Sequence, residues 1–280
     1  MRGEGEKILN NVLSGTNLED IKGITYKNGS DVFFNKEESQ IEDVSSIEFP
    51  LYEIFDIQYY RLFQTSCSAR TDFILPIMSG RGCRFSCSFC YNPYKNQRLR
   101  TPQNILSEIE LLQKNHQINY FVFSDDLLMS SVDRTTILCE EFIKYREKNK
   151  RFKWDCNARL NYAKPVLLKL MKKAGCVFLN YGIECFDNQV LKNMNKALTE
   201  EIIERGIQNT LKEEIDIGFN MIWGNLGDNE ETLKKSVDFL LKYDTCKQMR
   251  TIRPVTPYPG SPLYYSAIEK GLLDKVNPAE

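Results

Sequence analysis

Short apolar runs alternate with amphipathic stretches over most of the chain. From about residue 73 the runs Phe73–Met78, Tyr120–Ser124, Phe152–Ala158, Val177–Ile183, Ile217–Trp223 and Thr251–Val255 read as strands. They are apolar on both faces, as strands of a buried parallel sheet are. Between them lie stretches with helical spacing. Leu167, Leu170, Met171 and Ala174 form one apolar face, stopped by Gly175, and Leu233, Val237, Leu240 and Leu241 form another. Six β/α repeats running in one direction predict an α/β fold, either a partial (β/α)6 TIM-like barrel with parallel strands or a doubly wound sheet.

The first 70 residues follow a different pattern. Ile8, Leu9, Val12 and Leu13 predict a short helix, and Ile24 to Phe33 predicts a hairpin turning at Asn28-Gly29. An irregular stretch continues through Phe49-Pro50. The chain therefore divides into a short N-terminal α/β-hairpin appendage over 1–70 and a core barrel over 71–280. The appendage is too small to fold as a domain of its own.

Composition narrows the function classes. The 280 residues carry 37 Lys+Arg against 38 Asp+Glu, a net charge of −1, so nothing marks a nucleic-acid or anionic-lipid partner. No apolar run reaches membrane-spanning length, and Met1-Arg2-Gly3-Glu4 opens no signal peptide, so a soluble cytoplasmic protein is expected. Nine cysteines in a chain with a single histidine, His116, change the picture. Cys67, Cys139, Cys156, Cys176, Cys185 and Cys246 are scattered and read as small buried apolar side chains.

The other three are not scattered. Gly82-Cys83-Arg84-Phe85-Ser86-Cys87-Ser88-Phe89-Cys90 sets three thiols at C-x3-C-x2-C spacing directly after the first core strand. Loops at that end of a barrel strand carry the chemistry of such folds. Three thiolates can hold three irons of a [4Fe–4S] cluster and leave the fourth open, whereas a structural zinc site needs four Cys or His ligands. Cys67 and His116 are the nearest candidates for a fourth.

This spacing, with an aromatic before the last Cys at the first strand of a β/α barrel, resembles the radical S-adenosylmethionine (SAM) superfamily. The resemblance implies the partial barrel, a [4Fe–4S] cluster on Cys83, Cys87 and Cys90, and SAM on the open iron. It also implies an electron donor of flavodoxin or ferredoxin type. Residues at the strand exits then acquire expected roles. Phe89 meets the adenine, with a core aromatic as the alternative. Asp125 or Asp126, in Ser124-Asp125-Asp126, approaches the SAM ammonium, unless the pair caps the following helix. Arg159 meets the SAM carboxylate bidentately, unless it makes a surface ion pair. Glu184 accepts hydrogen bonds from the ribose, and a buried Glu needs some such partner. Gly224, in Gly224-Asn225-Leu226-Gly227-Asp228, lets the backbone approach a ligand closely; many family members carry Pro where Leu226 stands. The segment from Pro257 to Tyr264 matches the sixth exit and opens a helix at Pro262. Tyr258, Tyr264 and Asn220 are candidates to line a substrate cavity.

The resemblance runs from about Gly3 to Leu273 and is strongest to the group with a cobalamin-binding domain ahead of the barrel. Its Asp-x-His-x-x-Gly cobalamin motif has no counterpart here, since His116 stands in Lys114-Asn115-His116-Gln117; it is expected at the surface. Cobalamin is not expected for this chain alone, and a separate cobalamin-binding or substrate-binding subunit would complete it. A truncated fragment of a cobalamin-dependent methyltransferase is the competing origin, because Gly3-Glu4-Gly5-Glu6 has no evident purpose at a natural start. The expected activity is oxidoreductase or methyltransferase chemistry on a small organic substrate, by methylation or oxidative cyclisation. The alternatives are a non-catalytic zinc or iron–sulfur binding module and an inactive relative that keeps the fold.

Overall fold

The computed structural model describes residues 1–94, 96–243 and 249–274. Cys246 lies outside them. In chain order the appendage contributes helix α1 (Gly5–Leu13) and the antiparallel hairpin β1 (Thr25–Asn28) and β2 (Asp31–Phe34). The core follows with β3 (Ile74–Ile77), β4 (Gly80–Arg81), β5 (Arg98–Leu99), α2 (Pro102–His116), β6 (Tyr120–Phe123) and α3 (Val132–Lys148). Then come β7 (Lys153–Ala158), α4 (Pro165–Lys173), β8 (Cys176–Glu184), α5 (Asn188–Asn193) and α6 (Glu200–Lys212). Strand β9 (Asp216–Trp223), α7 (Glu230–Lys242), β10 (Met249–Pro254) and α8 (Pro262–Glu269) complete it.

Six strands form one parallel sheet in the order β3-β6-β7-β8-β9-β10. Strand order equals chain order, so the sheet is wound in one direction. A doubly wound sheet would reverse at a switch point; this one curls into a half-barrel. All six strand exits lie on one rim. The outer layer is fixed by apolar packing, with Phe121, Phe123, Phe142, Phe152 and Trp154 joining β6, α3 and the start of β7 through edge-on, tilted and stacked ring contacts. Helices start where their side chains can satisfy free backbone N–H groups: Thr101 before Pro102, Ser131 for α3, Thr199 for α6, and Ser261 before Pro262. None of the described helices is long and apolar enough to cross a membrane.

Two patterns differ in detail from the sequence reading. Helix α7 turns Thr232, Ser236, Phe239 and Leu240 inward, while Val237 and Leu241 face solvent. Phe239 stacks on Phe186 with ring centroids 4.2 Å apart, and Ser236 accepts the Phe186 N–H at 3.1 Å, so a polar residue takes an inward position by satisfying backbone. The hairpin pairs Asn28 with Asp31, which makes Gly29-Ser30 the two-residue turn, one position later than expected.

The appendage has a small core of its own, Ile8, Ile21 and Ile24, whereas Tyr52 and Ile57 belong to the barrel core. Helix α1 forms as expected but buries only Ile8. The Gly3-Glu4-Gly5-Glu6 segment, which had no evident purpose in the sequence, has one in the fold. Buried Glu4 receives Arg81 at 2.7 Å, Arg98 at 2.8 Å and the Ile41 N–H at 2.6 Å, and Glu6 also pairs with Arg81. Burial pushes the Glu4 carboxyl up, but the hydrogen bonds from Arg98, Arg81 and Ile41 outweigh it and hold the group down at about 2.

Candidate active site

The cysteine loop leaves β3 at the rim and is closed at its base by the β4–β5 pair, Gly80 opposite Leu99 and Arg81 opposite Arg98. Four further bonds seat it. Ser88 N–H donates to Met194 O at 2.9 Å, and Leu263 N–H donates to Ser88 O at 2.8 Å. Asn92 Nδ2 donates to Cys83 O at 2.8 Å, and Asn195 Nδ2 donates to Ser86 O at 2.9 Å. Cys83, Cys87 and Cys90 thereby line one cleft of about 220 Å³, together with Phe89, Asp126, Asn157, Arg159, Glu184, Lys196 and Asn220. Burial raises the Cys83 thiol, and it pushes Cys90 up to about 11, with Cys87, Cys83 and Asp126 adding to the effect. Ligation by these groups would release protons.

Opposite the cysteines, Glu184 ends β8 on a bulge, with φ +71° and a register shift against β9. Its carboxylate accepts Lys196 Nζ at 2.7 Å, and both side chains are nearly fully buried. Gly182 makes the space: a Cβ there would lie 2.3 Å from Glu184 Oε1 and 3.0 Å from Lys196 Nζ. Lys196 Nζ also sits 5.6 Å from the Phe89 ring centroid. Arg159 is buried, with its guanidinium carbon 3.7 Å from the Phe85 ring centroid and Nη1 donating to Cys87 Sγ at 3.7 Å.

Across the floor runs a row of amides. Thr251 Oγ1 donates to Asn220 Oδ1 at 3.1 Å, Asn220 Nδ2 to Asn180 Oδ1 at 2.6 Å, Asn180 Nδ2 to Asn157 Oδ1 at 2.9 Å, and Asn157 Nδ2 to Asp125 O at 2.8 Å. Gly218 clears room for it, since a Cβ there would lie 2.5 Å from Asn180 Oδ1.

The expected site residues separate accordingly. Cys83, Cys87, Cys90, Phe89, Asp126, Arg159, Glu184 and Asn220 meet in the cleft. Asp125 does not line it: just past the end of β6 its carboxylate turns toward the exit of β3, where it accepts Ser79 N–H at 2.9 Å and Ser79 Oγ at 2.9 Å. Burial pushes Asp125 up to about 6 against these hydrogen bonds. Neither aspartate caps α3, because Ser131 does. Gly224 is also outside the lining, with φ +102° and its N–H donated to Asp228 at 2.9 Å. Tyr258 and Tyr264 are outside it too. Cys67 is no fourth ligand. It contacts Tyr120 Oη at 3.1 Å, where β6 begins, at the opposite end of the sheet from the rim. His116 is half-buried at the end of α2, on that same side. Among the described residues, no Cys or His besides Cys83, Cys87 and Cys90 lines this cleft to complete a zinc site.

Lys196, Gly182, Asn157 and Asn180 were not assigned roles from the sequence. Asn195-Lys196-Ala197 follows a short helix, and only positive φ at Asn195 and Ala197 delivers Lys196 into the cleft. Asn225 adds a further feature of the rim. It is 6% exposed, and neither Nδ2 nor Oδ1 of its side chain has a partner among the described residues. A buried amide of this kind is open to a hydrogen bond from water or from a ligand at the rim. Three thiols on one loop, a buried ion pair, a carboxylate and an unsatisfied amide on one rim fit a cluster with a zwitterionic nucleoside beside it.

The family model of the Radical SAM superfamily matches residues 77–240, and the chain belongs to that superfamily. The cofactors that go with this superfamily are a [4Fe–4S] cluster and SAM. Among curated relatives it is 24% identical to an uncharacterized methyltransferase of Pyrococcus horikoshii, over 99% of this chain and 59% of the relative. It is 27% identical to the anaerobic magnesium-protoporphyrin IX monomethyl ester cyclase of Cereibacter sphaeroides, over 94% of this chain and 44% of the relative. Among solved structures it resembles the radical SAM methyltransferase TsrM of Kitasatospora setae with tryptophan and a SAM analogue bound. The TM-score is 0.80 at 18% identity, over 99% of this chain and 55% of that one, which establishes the half-barrel. The chain thus spans about half the length of the relatives it matches.

Proposed function

We propose that this chain is the catalytic barrel of a radical SAM methyltransferase or cyclase acting on a small organic molecule. The observation that carries the reading is the convergence of Cys83, Cys87 and Cys90 with Asp126, Glu184 and Lys196 in one cleft at the strand exits. The three cysteines hold the cluster. Its chemistry when bound is one-electron cleavage of the SAM sulfonium to methionine and a 5′-deoxyadenosyl radical.

The protein's part is to bind, orient and shield. Asp126 faces the SAM ammonium, and the Phe89 backbone with the Asn225 amide meets the adenine. The free Glu184 oxygen accepts a ribose hydroxyl while Lys196 holds its partner oxygen in place. The amide row of Asn157, Asn180 and Asn220 forms the polar floor beneath the substrate. A low-potential donor of flavodoxin or ferredoxin type supplies the electron. A neighbouring cobalamin-binding or substrate-binding unit completes the enzyme. Two observations support such a unit: the greater length of the relatives and the exposed side chains of Leu51, Ile54, Phe55, Tyr59, Leu62 and Phe63.

Anaerobic reconstitution with iron, sulfide and dithionite, followed by SAM, tests the reading. Mass spectrometry should detect 5′-deoxyadenosine from the wild type and none from Cys87→Ala. A protein that takes up zinc but no cluster, or that forms product equally well without Cys87, refutes it.

A further inference from the structure

We infer that Arg159 sets the reduction potential of the cluster rather than gripping the SAM carboxylate. The inference rests on the cluster assignment above. Each nitrogen of the guanidinium is already engaged by protein. Nε donates to Asn161 Oδ1 at 3.3 Å, Nη2 to Lys196 O, and Nη1 to Cys87 Sγ at 3.7 Å, while one face lies on Phe85. Bidentate capture of a carboxylate needs two parallel N–H groups on one edge. A carboxylate approaching Nη1 and Nη2 would compete with Cys87 and Lys196 O for these donors. Lys196 O and Asn161 are anchors that do not depend on what the thiols bind, so the cation is preset beside Cys87.

The charge balance points the same way. Lys196 is neutralised by Glu184 at 2.7 Å. Arg159 makes no ion pair with a carboxylate among the described residues, and it is 6% exposed. It is thus a buried positive charge answered by the cysteine sulfur. When the cluster accepts one electron, with no bond formed or broken, its negative charge grows by one. A buried cation and an N–H···S contact stabilise that reduced form, raising the potential. Arg159 acts through Cys87 and is a positioning residue.

The test is a redox titration with dithionite and mediators, without SAM, following the reduced cluster by electron paramagnetic resonance. Arg159→Gln should lower the equilibrium constant for reduction about tenfold, which is about 59 mV for one electron. SAM affinity, measured by equilibrium dialysis on the oxidised protein, should stay within about threefold. An unshifted potential overturns the inference, as does a SAM affinity that falls tenfold or more. Should Arg159→Gln load no cluster, Arg159→Lys decides: the shorter side chain retreats from Cys87 and should give a smaller shift of the same sign, and no shift overturns the inference. A wild type that takes up no cluster refutes the cluster assignment itself, whereas a loaded wild type with unshifted variants refutes only the role of Arg159.

Discussion

At the scale of single residues, the Glu184–Lys196 pair is the part of the cleft most sensitive to substitution. Both groups are buried and hydrogen-bonded to each other at 2.7 Å, so removing one leaves a charge without compensation. Lys196→Met should lower folding stability by about 3 kcal/mol. Glu184→Gln in the same chain should recover a substantial part of that loss. A double-mutant cycle by chemical denaturation measures the coupling, and strictly additive effects would refute it. Glu184 was legible because it ends an apolar run whose last residue is acidic. Lys196 was not, since in sequence it is one Lys among many surface-like positions, and the backbone twist that carries it inward has no composition signal. Asp125 and Asp126 were equivalent in sequence; only the side to which the strand exit turns distinguished them.

At the scale of elements, strand runs were readable because buried parallel strands are apolar on both faces. Helix faces were less so, because α7 orients by hydrogen bonding as well as by apolar area. Ser236 holds the Phe186 N–H at 3.1 Å under the Phe186–Phe239 stack. Ser236→Ala should therefore destabilise the protein by about 1 kcal/mol despite being a change to a better helix former. Thermal or urea unfolding measures it, and a neutral or stabilising result would show that the helix docks by its apolar residues alone. The amide row was likewise hidden: Asn157 and Asn180 are register partners on neighbouring strands, while Asn220 stands two residues beyond Gly218, the partner of Asn180, and reaches it diagonally.

At the scale of the whole molecule, Glu4 ties the appendage to both strands that close the cysteine loop. Its folded pKa of about 2 lies below the ordinary glutamate value of 4.5. The ionised form is thus favoured by folding, and its contribution is complete above pH 4.5 and lost as pH falls toward 2. The shift corresponds to about 3 kcal/mol. Glu4→Gln should be less stable than wild type by that order at pH 7, and the gap in denaturation midpoints should narrow below pH 4.5. A gap that does not change with pH would mean the carboxylate's charge is unimportant there. The barrel itself was legible from six repeated exits, while this clamp joins residues nearly 100 positions apart. The order of the sheet also governs timing. Neighbours in the sheet are neighbours in the chain, yet the cysteine loop, made early, is seated by Met194 and Leu263, which leave the ribosome much later. A cluster delivered to the nascent chain would meet a loop without its clamps, so loading belongs after translation, on a chain already closed.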